Sequence, residues 1–236
     1  MKKKSIFELI AFCFISVFIM SCEPIKESDN TDTTAGNQSS PITDTEGNSY
    51  KTVTIGTQVW MTENLKTTKF NDGTTIPLVT DGYAWSNLKG PGYCWYDNDA
   101  AKNKNTYGAL YNWYTANTGK LCPTGWRVPS NADLITFMTY LGDANTASAK
   151  LKETGTSHWP SPNPDATNST GFTAIPGGYR FNDGLYYYMN GSGDWWSSTE
   201  STSANAWYLV LSYTSSMLVK STSEKQFGYA VRCVKN

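Results

Sequence analysis

Five cysteines are the residues of this 236-residue sequence with the clearest capacity for covalent chemistry. Two lie near the N-terminus, at Cys13 and Cys22, and three are scattered over the rest of the chain, at Cys94, Cys122 and Cys233. This scatter, together with a single histidine, lacks the close ligand spacing of a zinc site. The chemistry open to each cysteine therefore depends on the compartment, which the start of the chain indicates.

The first 22 residues have the order of parts that is typical of a bacterial lipoprotein signal. Three lysines precede an apolar run that ends at Met20, and its uninterrupted part is shorter than the ~20 residues that span a bilayer. The small residue Ser21 then precedes Cys22, as in the bacterial lipobox. We therefore predict a signal peptide over residues 1–21 and lipidation of Cys22.

Residues 22–45 are expected to form a flexible tether between the lipid and a folded domain. The stretch is rich in Ser, Thr, Asn and Asp, and up to Pro41 it has no large aromatic side chain that could offset its ordering entropy. Its acidic residues resemble the export tags of some Bacteroidetes lipoproteins. We expect a lipid-anchored protein in the outer membrane, facing the cell surface.

The composition favours one globular domain over residues 46–236. Aromatic residues make up 14% of the chain and charged residues 17%. Without the signal peptide, 16 basic and 19 acidic residues remain, and no cluster of Lys or Arg is among them. Nucleic acid is therefore not an expected partner.

Catalytic chemistry has little support in the sequence. His158 is the only histidine and precedes Trp159 in an irregular stretch, and the chain has neither a Gly-x-Ser-x-Gly motif nor a phosphate-binding loop. We expect His158 to be a loop residue that packs near Trp159. We expect no enzymatic activity and no cofactor.

Asp97, Asn98 and Asp99 offer three adjacent oxygen donors. They could contribute to a calcium site, but calcium needs six to eight oxygens, usually from separate segments. Asn and Asp are also good turn formers, so a plain turn is the favoured interpretation.

Consecutive aromatic residues are the remaining candidates for function. Tyr186, Tyr187 and Tyr188 follow one another, as do Trp195 and Trp196, and neighbours in a strand point to opposite faces. Two interpretations stay open: most of these rings pack in the core, or some form a flat platform for a sugar ring or a peptide.

Short strands and two helices are predicted to position these residues. Asn-Asp-Gly at 71–73 and 182–184 predicts tight turns, and the second lies between paired strands at 178–181 and 185–189. Further strands are predicted at 50–55, 58–61, 207–211, 217–219 and 229–233.

The clearest helix has an apolar stripe at Leu134, Phe137, Met138 and Leu141, with a capping box opening at Ser130. A second helix is predicted over Gly108–Ala116, and residues 154–170 form a long loop. The mixture indicates the α+β class.

Seven segments in a fixed order resemble one known family. They are IGTQVWMTENL (55–65), YCWYDND (93–99), YGALYNW (107–113), CPTGWRVPS (122–130), GFTAIPGGYR (171–180), WWSSTE (195–200) and GYAVRC (228–233). Together they resemble the Fibrobacter succinogenes major paralogous domain, which is common in lipoproteins of Bacteroidetes and Fibrobacteres. The resemblance covers residues 46–236.

This resemblance implies a C-type-lectin-like fold, which the family shares with formylglycine-generating sulfatase modifiers. It implies a fold more than an activity. The sequence lacks the Glu-Pro-Asn loop and the Trp-Asn-Asp triplet of calcium-dependent lectins, which argues against calcium-mediated sugar binding. Some family members have a second cysteine shortly after the one that matches Cys94, and here it is missing.

We predict a disulfide between Cys122 and Cys233, because the first lies just before the main helix and the second faces inward from the last strand. Cys94 is then expected to be a free, packed thiol.

The expected function is a non-enzymatic binding or adhesion module for a glycan or a surface protein. The predicted ligand-contacting residues are Tyr186, Tyr188, Trp195 and Trp159, since long loops and adjacent strands form recognition surfaces. The alternatives are a structural envelope protein without a dedicated ligand and an enzyme related to the sulfatase modifiers.

Overall fold

The computed structural model describes residues 41–163 and 165–236. Within them the strands are β1 (Ile42–Thr43), β2 (Ser49–Tyr50), β3 (Thr52–Ile55), β4 (Gln58–Met61), β5 (Tyr93–Cys94), β6 (Leu110–Tyr111), β7 (Trp126–Arg127), β8 (Gly177–Arg180), β9 (Tyr186–Met189), β10 (Ser192–Glu200), β11 (Asn205–Ser212), β12 (Leu218–Glu224) and β13 (Val234–Lys235). The helices are α1 (Gly82–Ser86), α2 (Ala100–Tyr107), α3 (Trp113–Ala116), α4 (Asn131–Leu141) and α5 (Ala144–Leu151). This arrangement confirms the α+β class.

Two sheets hold most of the structure together. One has the strand order β3-β4-β13-β7, so Val234 of the last strand pairs with Trp60 on one side and with Arg127 on the other. The other is the antiparallel sheet β10-β11-β12. The pairs β1-β2, β5-β6 and β8-β9 complete the described sheets. The predicted hairpin around Asn182-Asp183-Gly184 is confirmed by the β8-β9 pairing.

The C-terminal segment divides the core into two layers. Tyr229, Val231 and Cys233 belong to one buried cluster, while Ala230 and Val234 belong to another. This alternation confirms the predicted shared face of the three odd-numbered residues. It arises because successive side chains of an extended segment point to opposite sides.

Helix α4 forms where the sequence predicted it. Ser130 and Asp133 make a reciprocal capping box, and Gly142 follows the last turn with φ 81°. Phe137 packs against Trp60 with ring centroids 4.7 Å apart, so the apolar stripe of the helix covers the second core cluster. Local capping and burial agree here, which explains the accurate prediction.

The helix predicted over Gly108–Ala116 is wrong for most of its length. Gly108 has φ 75°, and a Cβ at this position would lie 2.7 Å from the Leu65 carbonyl oxygen. The next residues form β6, and only α3 is helical, opened by the Asn112 side chain. Leu110 and Trp113 have helix-like spacing, but pairing of β6 with β5 overrides it.

Helices α2 and α5 were not predicted. The α2 sequence is AAKNKNTY, which has no apolar stripe, and its N-terminus depends on the cap supplied by Asp99. The α5 sequence buries small residues, Ala147 and Ser148, together with Leu151. Periodicity of large apolar residues does not detect such helices.

A disulfide joins Cys122 to Cys233, as the sequence predicted, with Cα atoms 6.0 Å apart. It links the segment before β7 to the segment before β13, across 111 residues of sequence. Cys94 is a free, buried cysteine, and burial raises the pKa of its thiol to about 11.

The described residues include 41–45, which belong to the predicted tether over residues 22–45. Ile42 and Thr43 form β1, and the Asp44 carboxylate accepts a hydrogen bond from the Tyr50 hydroxyl at 2.7 Å. Ile42 also packs, partly buried, against the first core cluster. The signal peptide, Cys22 and the remainder of the tether lie outside the described residues. Within residues 41–163 and 165–236, no helix combines the length and apolar character needed to cross a membrane.

Candidate functional site

The sheet β10-β11-β12 has one face in the core and one face that lines a cleft. Trp195, Leu209 and Leu211 point inward to the cluster that α4 covers. The opposite face carries Asp194 and Val210, which are directly paired in the register of β10 and β11. The cleft over this opposite face has a volume of about 540 Å³. Three other surface clefts in the described part of the chain have volumes of about 310–340 Å³.

Aromatic rings form the walls and part of the floor of this cleft. They come from separate parts of the chain and are Tyr179, Tyr188, Tyr208, Phe227 and Tyr229. Tyr208 and Tyr229 are stacked with centroids 4.7 Å apart and planes 22° apart, and Tyr179 and Tyr188 are stacked at 5.8 Å and 21°. Tyr179 also meets Tyr229 edge-to-face at 5.8 Å, which joins the two stacked pairs into one aromatic surface.

Tyr188 reaches this surface through an unusual backbone conformation. Its φ is 58°, and Gly178 on the neighbouring strand has φ 62°. A Cβ at Gly178 would lie 2.6 Å from the Tyr187 carbonyl oxygen, so only glycine fits there. Because of the left-handed residue, Tyr187 and Tyr188 both lie beside Tyr179 instead of pointing to opposite faces. Such backbone conformations concentrate at functional sites.

A buried carboxyl group lies within the cleft. Asp194 is 3% exposed, and its Oδ2 accepts a hydrogen bond from Ser192 Oγ at 2.6 Å. Burial raises the pKa of Asp194 to about 7, although the Ser192 hydrogen bond acts in the opposite direction. The carboxyl also contributes to the raised pKa values of Tyr179, Tyr208 and Tyr229, after burial itself. Asp194 is therefore an acid that is held near the midpoint of its titration at neutral pH.

Hydroxyl groups surround the aromatic surface. They belong to Ser192, Ser212, Thr214, Thr222 and Ser223. Some are already engaged, since Tyr229 donates to Ser223 Oγ at 3.0 Å and the hydroxyls of Ser212 and Thr214 are 2.9 Å apart. The cleft thus combines apolar ring faces, hydroxyl donors and acceptors, and one acid, which is the usual make-up of a small-ligand site.

Two of the four predicted ligand-contacting residues are wrong. Trp195 is 5% exposed, and its indole Nε1 donates to Asn64 Oδ1 at 2.8 Å on the core side of β10. Trp159 is 1% exposed, and its Nε1 donates to the Ala174 carbonyl oxygen at 2.8 Å. Both rings fill the second core cluster. Large rings bury more apolar area than any other side chain, which here outweighs display at the surface.

Tyr186 and Tyr188 do not lie side by side. Tyr186 packs beside Tyr96 at 5.2 Å and donates from its hydroxyl to Asn98 Oδ1 at 2.8 Å. Tyr188 is 60% exposed and lines the cleft. The predicted four-residue face is therefore not assembled, and of its members only Tyr188 lines the cleft.

Asp194 was not predicted as a site residue, although it lies beside the predicted Trp195. Strand alternation puts the two residues on opposite faces, so a ring on the core side places its neighbour on the side of the cleft. The available signal was an acid between Gly193 and two tryptophans. Charged residues are rarely buried without a reason.

The other candidates for chemistry lie elsewhere and have structural partners. His158 Nδ1 is 2.7 Å from Glu153 Oε2, and the imidazole meets the Tyr107 ring edge-to-face at 5.7 Å. Packing against Tyr107 differs from the expected packing against Trp159. Asp99 caps α2 through a hydrogen bond from the Lys102 amide, and Asp97 and Asn98 have φ 50° and 56° in a short 3-10 turn.

No group of three or more His, Cys, Asp or Glu side chains that could hold a metal ion occurs in residues 41–163 and 165–236. Asp97, Asn98 and Asp99 form the turn and the helix cap.

Comparisons with known proteins give one match. No curated protein and no solved structure matches this chain. The family model of the Fibrobacter succinogenes major domain matches residues 53–235, which include every residue that lines the aromatic cleft. The chain therefore belongs to the Fibrobacter succinogenes major domain family.

Proposed function

We propose that this protein is a non-enzymatic binding module of the cell envelope and that its ligand is a glycan held in the aromatic cleft. The observation that carries the proposal is the meeting of stacked tyrosines, hydroxyl groups and a buried acid in one cleft of about 540 Å³. The apolar face of a sugar ring packs on aromatic rings, while its hydroxyls need donors and acceptors at the edge.

The stacked rings are placed rigidly enough to act as a preformed surface. Tyr208 lies on β11, Tyr179 on β8, and Tyr229 is locked between them with 2% exposure. Side chains fixed by packing lose little conformational entropy on binding. The exposed ring of Tyr188 offers the contact area that remains open to solvent.

The anchoring part of the proposal rests on the N-terminal sequence. We propose that Cys22 carries lipid, that residues 1–21 are removed, and that the domain is displayed on the outer membrane at the cell surface. A ligand cleft on a tethered domain fits adhesion to, or capture of, an external glycan. Metabolic labelling with a fatty-acid analogue should mark the wild type and not the Cys22→Ala variant; equal labelling of both would refute the anchor.

We also propose that the fold is of the C-type-lectin-like type. One supporting feature is the pairing of β13 with β4, which brings the C-terminal strand beside an early one. Another is the packing of helix α4 against the core face of the sheet β10-β11-β12. A solved structure of this family that lacks the lectin-like strand order would contradict this part.

A glycan array provides the test of ligand binding. The wild type is compared with two matched variants, Tyr188→Ala in the cleft and Tyr140→Ala on α4, because these tyrosines are 60% and 61% exposed. We expect glycans that bind the wild type and the Tyr140→Ala variant but lose at least tenfold in affinity for Tyr188→Ala. If no glycan binds the wild type, or if both variants bind equally well, the cleft is not a glycan site and a structural role is favoured.

A further inference from the structure

The cleft contains a negative group without a positive partner in the part of the chain that the structure describes. The charged side chains on the surrounding strands are directed elsewhere. Lys220 Nζ donates to Asn131 Oδ1 at 2.7 Å and lies over the Trp207 ring at 4.4 Å. Arg180 donates to the carbonyl oxygens of Val79 and Thr80.

Lys225, which directly follows β12, is also engaged away from Asp194. Its Nζ pairs with Glu200 and donates to the Ser203 carbonyl oxygen at 2.8 Å. A buried carboxylate normally needs a partner, because the protein interior solvates its charge poorly. Asp194 has one hydroxyl donor instead, from Ser192.

The rings around Asp194 are suited to a cation. The faces of Tyr and Phe rings attract ammonium groups within about 6 Å of the ring centroid. Rings of this kind come from four separate segments: Tyr179 from β8, Tyr188 from β9, Tyr208 from β11, and Phe227 and Tyr229 from the C-terminal segment. When ionised, the Asp194 carboxylate adds negative charge at the same place.

A metal ion is a poor match for this arrangement. Calcium takes six to eight oxygen ligands and magnesium six, commonly from several carboxylates. The cleft offers one carboxyl group, and its remaining lining is aromatic, aliphatic or hydroxyl-bearing. An organic ammonium needs only one anionic partner and ring faces, so it fits better.

We propose that the glycan recognised by this cleft carries a free, protonated amino group, which binds against Asp194 while its sugar ring packs on Tyr188 and Tyr179. This inference rests on the proposed glycan-binding function and specifies its ligand class as an amino sugar that is not acetylated. The hydroxyls of Ser212, Thr214 and Thr222 then form hydrogen bonds with the sugar hydroxyls at the rim of the cleft.

Proton linkage follows from the same geometry. The other titratable groups that line the cleft are Tyr179, Tyr188, Tyr208 and Tyr229. Burial raises the pKa values of Tyr179, Tyr208 and Tyr229, so these three stay neutral at neutral pH. Asp194, with a pKa of about 7, is mostly protonated at pH 6. An ammonium bound at pH 6 should therefore displace about one proton from the carboxyl group.

The test uses two tetrasaccharides that differ only at nitrogen. Tetra-glucosamine has free amines, and its fully N-acetylated counterpart is neutral. Binding to the full-length protein in phosphatidylcholine nanodiscs is measured by titration calorimetry at pH 6, in two buffers of different ionisation enthalpy, with empty nanodiscs as the blank. The variants are Asp194→Asn, Tyr188→Ala and the control Tyr140→Ala.

We expect the wild type and Tyr140→Ala to bind the free-amine probe at least tenfold more tightly than the acetylated probe, with release of about one proton. Asp194→Asn, which keeps an acceptor for Ser192, should lose both the preference and the proton release. Equal affinity for the two probes, a preference that persists in Asp194→Asn, or no binding of either probe would overturn the inference.

The outcomes separate this inference from the proposed function. Equal affinity for the two probes that is lost in Tyr188→Ala contradicts the amino-group inference and supports the glycan cleft. Failure of both probes overturns the amino-group inference, and the proposed function fails with it only if the glycan array also gives no ligand that depends on Tyr188.

Discussion

Two of the buried charged side chains, Arg232 and Asp194, lie in very different surroundings. Arg232 is 1% exposed and is fully provided with acceptors: its Nε donates to Asn64 Oδ1 at 2.9 Å, and its two terminal nitrogens donate to the carbonyl oxygens of Phe172 and Thr173. Its guanidinium also lies 4.3 Å from the Phe172 ring centroid. Asp194 is 3% exposed, has one hydroxyl donor, and borders an open cleft.

The difference separates a structural role from the proposed binding role. We call Arg232, its three acceptors and the Cys122–Cys233 disulfide the scaffold region, and the residues that line the aromatic cleft the cleft region. A buried polar group that stabilises a fold has its hydrogen bonds made within the protein. A buried polar group that binds a ligand keeps unused hydrogen-bonding capacity in the free protein. Its burial lowers the stability of the fold until the ligand binds.

The largest effect is expected from removing the disulfide of the scaffold region. It closes 111 residues of sequence, and in the chain-entropy model that closure stabilises by about 4–5 kcal/mol, less any strain. In urea unfolding, the double variant Cys122→Ala/Cys233→Ala should lose most of this stabilisation. A loss below that of the single variant Cys94→Ala would contradict the assignment of the disulfide to the scaffold.

Replacing Arg232 by Met should destabilise by about 3 kcal/mol, because acceptors at Asn64, Phe172 and Thr173 lose their donors in a buried place. Arg232→Lys should recover only part of the loss, since one ammonium cannot reach all three acceptors. Stability equal to the wild type in chemical unfolding would remove the contrast with Asp194.

Asp194→Asn should raise the free energy of unfolding at high pH, whereas Arg232→Met lowers it. The folded-state pKa of about 7 lies above the unfolded value of about 3.9, so the folded state holds a proton that the unfolded state releases between these values. This contribution is fully present below about pH 4 and is lost as the pH rises through 7.

The wild type should therefore lose about 2–4 kcal/mol relative to Asp194→Asn between pH 4 and pH 8. Taking the difference between the two proteins cancels Glu46 and Asp99, whose pKa values are lowered and act oppositely. A pH-independent difference in the unfolding free energies would contradict the raised pKa of Asp194.

The smallest change in stability is expected from Tyr188→Ala. The Tyr188 side chain is 60% exposed, and the residue has a left-handed backbone conformation. Removing the ring should therefore lower the free energy of unfolding by less than about 1 kcal/mol. Trp159→Ala, at a residue wrongly predicted to contact ligand, should cost about 3–5 kcal/mol because it opens a cavity in the core. Thermal unfolding of the two variants measures this contrast, and equal losses would contradict the burial of Trp159.

Local signals explain what could be predicted from the sequence. Helix α4 carries its own capping box and stripe, and the β8-β9 hairpin has its turn residues between two apolar runs, so both were found. The Cys122–Cys233 pair followed from the positions of the two residues beside predicted elements. The helix and the hairpin depend on residues that are close in sequence, and the disulfide was one of few possible pairs among three cysteines.

The cleft could not be predicted in the same way, because it depends on which face of a strand each side chain occupies and on tertiary contacts. The pairing of Asp194 with Val210 decides which face of β10 is open, and the φ of Tyr188 breaks the alternation assumed for three consecutive tyrosines. The ring of Tyr179 meets that of Tyr229 across 50 residues of sequence. No local pattern encodes these choices.

The most direct test of the account is NMR of the carboxyl carbon of Asp194 and of the Arg232 Nε group during titration with a glycan that binds the wild type. The account predicts a large shift for Asp194, loss of that shift in Tyr188→Ala, and an unchanged Arg232 signal. A ligand that binds with no change at Asp194, or that shifts Arg232 as strongly, would contradict the division between a binding cleft and a structural scaffold.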